Sequence, residues 1–287
     1  MQTIIYQIFS CIFFKKKANI QGKYNWDFKE PIFVGRFGSN EIKAVLYPFL
    51  PFFIKAFVRE RIFYPFKIVA GFFPISDTSV NQFSKLMLED MKLLDVLGSW
   101  RIEEFFLANH LKNANKVSLI SLEPYFQDEP WSMYLKHKNV LVIHPFCHTI
   151  ERQYYAKREL LFKDKRVLPQ FKSLQTIKAV QSYANNNSPF TNWFDALDHM
   201  KSQIDELDFD VAIIGCGAYG FPLAAHIKRK GKSAIHLGGA TQILFGIKGK
   251  RWIENKKFDH IINEHFVFPS EFEKIEGCEK VENGCYW

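Results

Sequence analysis

The segment from residue 210 to residue 246 constrains the fold of this 287-residue chain more than any other. It contains two short apolar runs, at 211–214 and 233–237, separated by a glycine-rich turn and a helical stretch that ends at Gly231. The glycines of the turn are Gly215, Gly217 and Gly220. The pattern predicts a strand, a tight turn, a helix and a second strand. Such a turn leaves backbone N–H groups free at the start of the helix, where a bound anion is favoured.

The three glycines match the dinucleotide-binding pattern Gly-x-Gly-x-x-Gly, but the rest of that fingerprint is missing. A dinucleotide site also needs an Asp or Glu about 20 residues further on, which holds the ribose hydroxyls. Here the second strand ends in His236 and Leu237, and no Arg stands there to accept a 2′-phosphate. We therefore expect a diphosphate group rather than NAD. The alternative is that the glycines only close a tight turn.

Composition and charge narrow the class of partner. With 38 Lys and Arg against 30 Asp and Glu, the net charge is +8, which favours an anionic partner such as a nucleotide or a phospholipid. The basic residues are scattered among acids and form no aromatic-basic motif, so we expect no nucleic acid. The five cysteines form no Cys-x-x-Cys pair, which disfavours zinc and disulfides and indicates a reducing compartment.

Two segments leave the question of membrane contact open. The amino-terminal segment, 1–30, starts with an apolar run followed by three lysines. The run is too short to span a bilayer, and its charges lie on the wrong side for a signal peptide. It is either a packed first element or an interfacial anchor. Residues 47–74, rich in Phe, Pro and basic residues, belong either to the core or to a surface that contacts lipid. We expect a cytoplasmic protein, at the inner face of the membrane if either segment binds lipid.

Strands and helices alternate through most of the chain. The predicted strands are 31–37, 117–122, 139–143, 176–180, 211–214 and 233–237, and the predicted helices include 79–98, 101–112, 150–162 and 192–207. Ser79 with Gln82, and Thr191, are the predicted caps of two of these helices, and Ser39 or Asn40 caps a helix after the first strand. The alternation predicts a Rossmann-like α/β domain over 31–265, with a mostly parallel sheet covered by helices on both faces. Residues 266–287 form a tail that packs on this body.

In such a sheet, ligands bind at the carboxyl ends of the strands. That rule gathers the residues after each predicted strand at one rim. They are residues 36–41, Glu123, His144, the turn at 215–220, and residues 236–240.

Two segments resemble GT-D-type glycosyltransferases. The run RFGSNEI, which starts at Arg36, is similar to their R-[FY]-G-D-G-E-[FL] signature, and the stretch 215–239 is similar to a later glycine-rich segment of that fold. The chain also resembles uncharacterised proteins of bacterial surface-polysaccharide clusters. The shared sequences are HPF at 144–146, RELLF at 158–162, the run at 238–252 and GCYW at 284–287.

The resemblance implies transfer of a sugar from a nucleotide-diphosphate donor to a glycan or lipid-linked acceptor. In that family an Asp-x-Glu pair after the first strand serves catalysis and a divalent metal. Its Glu corresponds to Glu41, but Ser39 replaces its Asp and Asn40 its Gly. Because Mg²⁺ and Mn²⁺ prefer carboxylates, metal use is left open. Either the donor's phosphates complete the metal shell, or Arg36 and the glycine-rich turn replace the cation.

The resulting assignment names Glu41 as base or metal ligand and Arg36 as a second catalytic residue. Positive charge to stabilise the leaving diphosphate could also come from Lys248, Lys250 and Arg251. The predicted donor-binding residues are Gly38, Ser39, Asn40, His144, Gly215, Gly217, Ala218, Tyr219, Gly220, Gly238, Gly239, Thr241 and Gln242.

Structural roles compete with each of these assignments. A first-turn carboxylate such as Glu41 also stabilises its helix. His144, His236 and Glu123 could be structural, and Cys216 is better explained by packing than as a nucleophile. Two other functions stay open: another group transfer in the same pathway, and a non-catalytic scaffold that binds a nucleotide.

Overall fold

The computed structural model describes residues 28–182, 188–280 and 283–287, so most of the predicted amino-terminal segment lies outside the described residues. Within these ranges the chain forms a seven-stranded, all-parallel sheet in the order β3-β2-β1-β7-β6-β4-β5. The strands are β1 (Phe33–Gly35), β2 (Val96–Ser99), β3 (Asn115–Ser118), β4 (Asn139–His144), β5 (Ser173–Lys178), β6 (Val211–Ile214) and β7 (Ser233–His236). The predicted Rossmann-like α/β fold is confirmed.

Both faces of the sheet are buried, as the continuous apolar strands predict. Along β4, the side chains of Leu141 and Ile143 enter one hydrophobic core, and those of Val140 and Val142 enter a second core on the opposite face. This alternation follows from the two-residue repeat of a strand.

Helices cover the two faces unequally. They are α1 (Ser39–Leu46), α2 (Phe52–Ile68), α3 (Asp77–Met91), α4 (Cys147–Leu161), α5 (Trp193–Asp205), α6 (Gly220–Arg229), α7 (Ala240–Leu244) and α8 (Lys250–Ile253). Buried residues of α1, α2, α3, α5 and α6 belong to the first core. Those of α4, α7 and α8 belong to the second.

The predicted helix 79–98 is wrong at both ends. Helix α3 starts earlier because Ser76, not Ser79, is its N-cap, and Ser76 and Ser79 bond each other's backbone N–H groups in a capping box. Its carboxyl end is instead a separate strand, β2, which pairs with β1 and β3. The four residues of β2 are all buried, and this burial between two strands overrides the helical spacing of the preceding leucines.

Smaller differences affect other boundaries. The predicted helix 101–112 is a short 3₁₀ helix, Ile102–Leu107. The predicted strand 117–122 is displaced to β3, followed by a 3₁₀ turn, Leu119–Leu122. Asn192, rather than Thr191, caps α5, because its side-chain oxygen accepts the N–H groups of Phe194 and Asp195.

Residues 47–74, for which no element was predicted, contain helix α2. Its inner side is anchored by Phe63 and Phe66, both buried in the first core. Its outer side carries exposed aromatic residues. Within the described ranges, no helix combines the length and apolarity needed to cross a bilayer.

The sheet topology positions a crevice between β4 and β6. The chain leaves β4 through α4, which packs on one face, and leaves β6 through α6, which packs on the other. Neighbouring strands whose connections diverge in this way leave room at their carboxyl ends, where ligands of open α/β sheets bind.

Candidate functional site

A cavity of about 390 Å³ lies at the carboxyl ends of the strands. Residues at or just after the ends of β1, β2, β4 and β6 line it, namely Arg36, Trp100, His144 and Gly215. Its volume falls in the range of small-molecule sites, roughly 300–1,000 Å³.

Most of the predicted site residues meet in this cavity. Those that line it are Arg36, Gly38, Ser39, Asn40, Glu41, His144, Gly215, Gly217, Tyr219, Gly238, Gly239 and Gln242. The glycine-rich turn after β6 and the carboxylate after β1 therefore face one shared space, although they are far apart in sequence.

Three predicted donor-binding residues do not line the cavity. A Cβ atom at Gly220 would lie 2.2 Å from the His236 ring, so this glycine lets helix α6 pack against that ring. Ala218 is buried. Thr241 is also buried, and within the described residues its Oγ1 has no hydrogen-bond partner. That oxygen lies 2.7 Å from where a Cβ atom of Gly215 would be.

Arg36 is held in a defined position. Its guanidinium lies over the Trp100 ring, 4.9 Å from the centroid, and its stem passes Gly238, whose Cβ position would be 3.8 Å away. The Trp100 ring is itself fixed, because its Nε1 donates to the carbonyl of Phe37 at 2.8 Å. The stacking fixes the plane of the cation, which suits it to a phosphate or carboxylate.

The surroundings of Arg36 shift its pKa in both directions. Burial lowers its pKa, the neighbouring Tyr286, Glu41 and Glu123 raise it, and Arg251 lowers it. A guanidinium stays protonated under physiological conditions despite such shifts. The cavity therefore holds a partly desolvated cation, which favours an anionic ligand.

Glu41 lies in the first turn of α1, as predicted, but the predicted cap is wrong. The N-cap is Gly38, and no side chain caps this helix end. A Cβ atom at Gly38 would lie 1.9 Å from Oε2 of Glu41, so the carboxylate is in close contact with the backbone at that position. A side chain at position 38 would occupy the space of the carboxylate, so Glu41 keeps this position only beside a glycine.

The residues in the cavity do not fit a metal held by the protein alone. Among the described residues, no group of three or more His, Cys, Asp or Glu side chains could hold a metal ion. Glu41 is the one acidic side chain on the described cavity wall, beside the hydroxyl of Ser39 and the amide of Asn40. Mg²⁺ and Mn²⁺ prefer several oxygen ligands with carboxylates among them, which this set does not provide.

The glycine-rich turn borders the cavity through Gly217 and Tyr219, and its first backbone N–H groups have no acceptor within the turn. Residues Gly217–Tyr219 form a 3₁₀ turn that leads directly into α6, and no side chain caps its start at Cys216. The N–H groups of Gly217 and Ala218 are the first of this turn, so neither has an acceptor within it. Gly217 is exposed and has a φ of +57°, which turns the chain without a side chain in the way.

His144 is a neutral hydrogen-bond donor in the cavity wall. Burial lowers its pKa to about 3, and Nδ1 accepts the N–H of Phe146 at 3.0 Å. The hydrogen-bond pattern therefore assigns the ring proton to Nε2. A neutral imidazole that lines the cavity in this way can donate to an oxygen of a ligand.

His236 and Cys216 are buried in the same wall. Burial and, to a smaller extent, the charge of Arg36 lower the pKa of His236 to about 3, against a backbone hydrogen bond with Ile214 that raises it. Its Nδ1 has no hydrogen-bond partner within the described residues. Burial raises the pKa of the Cys216 thiol, so this cysteine stays protonated and is no activated nucleophile.

Several cavity residues carried no site prediction. Trp100 follows β2, the strand that was not predicted. Tyr286 and Trp287 line the cavity because the carboxyl-terminal residues pack against helices α7 and α8. The carbonyl of Tyr286 accepts from Gln242, and its hydroxyl accepts from Arg251 at 3.1 Å. The resemblance in the GCYW run was the one sequence signal for this contact.

The remaining candidates lie outside the cavity wall. Glu123 is near enough to Arg36 to affect its pKa, but its own partners are Tyr125 and, at 3.8 Å, Lys257. Lys250 extends toward Glu254, and the Lys248 ammonium lies over the Phe268 ring. Of these two lysines and Arg251, the three residues predicted to add charge for the leaving group, Arg251 alone lines the cavity.

The chain was compared with protein-family models, curated proteins and solved structures. No protein-family model matches the chain, and no curated protein matches it significantly. One similar solved structure is that of a selenomethionine-substituted domain of unknown function 1792 (DUF1792). It is 12% identical, with a TM-score of 0.42 over 82% of this chain and 88% of that chain. A similarity at this level carries no argument about function.

Proposed function

We propose that the protein is a glycosyltransferase that moves a sugar from a nucleotide-diphosphate donor to a glycan or lipid-linked acceptor of a bacterial surface polysaccharide. One observation carries the proposal: a stacked arginine, a first-turn carboxylate and an uncapped glycine-rich turn line one nucleotide-sized cavity. The similarity of residues 36–42 to the GT-D signature supplies the reaction type.

Sugar transfer needs positive charge to stabilise the leaving diphosphate and a base to take the proton of the acceptor hydroxyl. As the bond between the sugar carbon and the diphosphate oxygen breaks, negative charge grows on the diphosphate. Arg36 and the free N–H group at Gly217 would stabilise that charge. The acceptor hydroxyl forms the new bond to the sugar carbon, and Glu41 would take its proton.

The neutral His144 would contribute as a donor. Its pKa of about 3 means that it carries no charge near neutral pH, so it cannot replace Arg36 as a counter-ion. Nε2 would bond a donor oxygen and help to orient the sugar or the diphosphate. One acidic side chain does not fit a metal held by the protein alone, so Arg36 would supply the positive charge.

A second candidate is a nucleotide-binding protein without turnover. The close contact of Glu41 with the Gly38 backbone favours it, since a first-turn carboxylate also stabilises the N-terminus of α1. The two candidates share the donor site and differ in the role of Glu41.

Thermal shift tests the shared site. The melting temperature would be measured with UDP-, GDP-, CMP- and dTDP-sugars, each with and without Mn²⁺, and with NADH as a comparison. A ligand that binds only the folded chain raises the melting temperature. We expect a rise with at least one nucleotide sugar. A rise with NADH alone would contradict the proposal.

Replacement of Glu41 distinguishes the two candidates. Glu41→Gln should abolish sugar transfer and leave donor binding nearly unchanged, because the amide keeps the shape and loses the base. The matched control is Asp77→Asn, which removes the first-turn carboxylate of α3, outside the cavity wall. If no nucleotide sugar and acceptor give product with the unaltered protein while donor binding persists, the non-catalytic candidate is favoured.

A further inference from the structure

Helix α2 and the turn before it expose an unusual number of aromatic side chains. Phe52 and Phe57 are 88% and 82% exposed, and three others are about two-thirds exposed. The full set, here called the aromatic surface, is Phe49, Phe52, Phe53, Phe57 and Tyr64. Single exposed apolar residues are normal, but several of them on one helix and the turn before it mark an interaction surface.

The aromatic surface follows from the helical repeat. Phe63 and Phe66 point into the first core and fix the inner side of α2. Phe53, Phe57 and Tyr64 are spaced by four and seven residues, so they form one stripe on the outer side. The helix is therefore apolar on both sides, and only one of them is covered by this chain's described residues.

The charges of α2 are strongly biased. Its sequence contains four basic residues, Lys55, Arg59, Arg61 and Lys67, and one acidic residue, Glu60. Glu60 is paired with Arg59 at 2.9 Å. At 3.6 residues per turn, Arg61 and Lys67 lie on either side of the aromatic stripe. An apolar stripe flanked by cations is the pattern of a helix that lies in the surface of an anionic bilayer.

We propose that the aromatic surface docks the protein on a membrane that contains anionic phospholipid, with α2 parallel to the bilayer plane. The phenyl rings enter the boundary of the acyl chains, and Arg61 and Lys67 reach the phosphates. A second copy of the chain is a poorer partner, because a two-fold contact would bring like charges of the two helices together.

The docked orientation would bring the carboxyl end of α2, which borders the cavity, close to the membrane. Helix α2 ends at Ile68, and the next two residues, Val69 and Ala70, line the cavity. A lipid-linked acceptor would then meet the site at headgroup level. This consequence rests on the proposed function, whereas the docking itself does not.

Vesicle sedimentation tests the proposal with the full chain. Wild-type protein would be mixed with vesicles of phosphatidylcholine alone, or of phosphatidylcholine and phosphatidylglycerol. We expect binding to the anionic vesicles, and a fall in the partition coefficient of at least about tenfold in the double variant Phe53→Ser, Phe57→Ser. Arg61→Gln with Lys67→Gln should weaken binding to anionic vesicles selectively.

The matched control is the double variant Tyr155→Ser, Phe272→Ser. These two side chains are as exposed as Phe53 but belong to the part of the chain that packs on the opposite face of the sheet. The control should bind vesicles like wild type, and circular dichroism would verify that both variants are folded.

Three results would overturn the proposal. One is the absence of wild-type binding to anionic vesicles. Another is unchanged binding of the Phe53, Phe57 variant, which would assign any membrane contact to a different part of the chain. The third is a wild-type dimer in sedimentation equilibrium that this variant abolishes, which would assign the aromatic surface to a second copy. Donor thermal shift is measured without vesicles, so its failure is distinguishable from failure of docking.

Discussion

Gly38 and Glu41 are in such close contact that a Cβ atom at position 38 would lie 1.9 Å from Oε2 of Glu41. The contact holds the carboxylate against the start of α1, at the carboxyl end of β1 and in the wall of the cavity. The glycine of the RFGSNEI run thus has a steric role that is separate from backbone flexibility.

Replacing Gly38 by Ala should therefore displace Glu41 and leave the fold intact. The backbone at Gly38 is extended, with φ −76° and ψ 154°, which alanine adopts without strain. We expect a melting temperature close to that of wild type and a loss of transfer activity of at least about tenfold. Activity assays and thermal denaturation on the same preparations measure both.

A double-mutant cycle shows whether the effect passes through Glu41. If it does, Gly38→Ala combined with Glu41→Gln should be no less active than Glu41→Gln alone. Additive losses would mean that Gly38 acts in another way, for example by direct contact with the donor.

The fold was predictable where a strand is a continuous apolar run that is buried along its whole length. Strands β4, β6 and β7 are continuous apolar runs and were predicted to within a residue or two. Strand β2 was not, because Val96–Ser99 directly follows leucines at helical spacing. Its conformation comes from pairing with β1 and β3, which are remote in sequence.

The candidate site was predictable where it lies at a strand end. Arg36, His144 and Gly215 follow from the rule that ligands bind at the carboxyl ends of parallel strands. Trp100 was missed together with β2. Tyr286 was missed because its place in the cavity depends on how the last residues fold back on helix α7.

Arg36→Lys should weaken donor binding although it keeps the charge. Lysine cannot stack its cation on Trp100 in a fixed plane or bond two phosphate oxygens at once. We expect the dissociation constant of the nucleoside diphosphate to rise by about tenfold or more, measured by isothermal titration calorimetry.

Arg101→Lys is the matched control for this prediction. The Arg101 guanidinium also lies 4.9 Å from the Trp100 centroid, but it is paired with Glu103 at 2.6 Å and does not line the cavity. Its replacement should leave the dissociation constant unchanged. Equal losses in the two variants would assign the effect to the Trp100 ring rather than to the Arg36 cation.

The two buried histidines should make the protein less stable in acid. Burial lowers the pKa of His144 and of His236 from 6.5 to about 3. Between these values the unfolded chain binds protons that the folded chain does not. Their contribution is therefore fully present above pH 6.5 and is lost progressively as the pH falls toward 3.

His144→Gln should reduce this pH dependence. One proton difference contributes a slope of about 1.4 kcal/mol per pH unit to the free energy of unfolding, and the variant should lose about that slope between roughly pH 4 and pH 6. Urea denaturation across this range gives the slope. An unchanged slope in the His144 variant would mean that this ring is protonated in the folded protein.

Gly217→Ala should block the diphosphate site and lower the stability of the fold no more than alanine at a comparable glycine outside the cavity. Gly217 and Gly231 have φ values of +57° and +74°, and at neither would a Cβ atom meet another atom within 4 Å. Alanine is strained at both, by about 1–2 kcal/mol, so Gly217→Ala and Gly231→Ala should lower stability by similar amounts.

The two variants should differ in ligand binding, because only Gly217 of this pair lines the cavity. A methyl group there stands beside the uncapped N–H groups of the 3₁₀ turn, whereas Gly231 lies beyond the far end of α6. We expect Gly217→Ala to bind a nucleoside diphosphate at least about tenfold more weakly than Gly231→Ala, measured by calorimetry. Equal affinities would show that the diphosphate does not bind at this turn. Arg36 and Glu41 would then have to act on a different ligand.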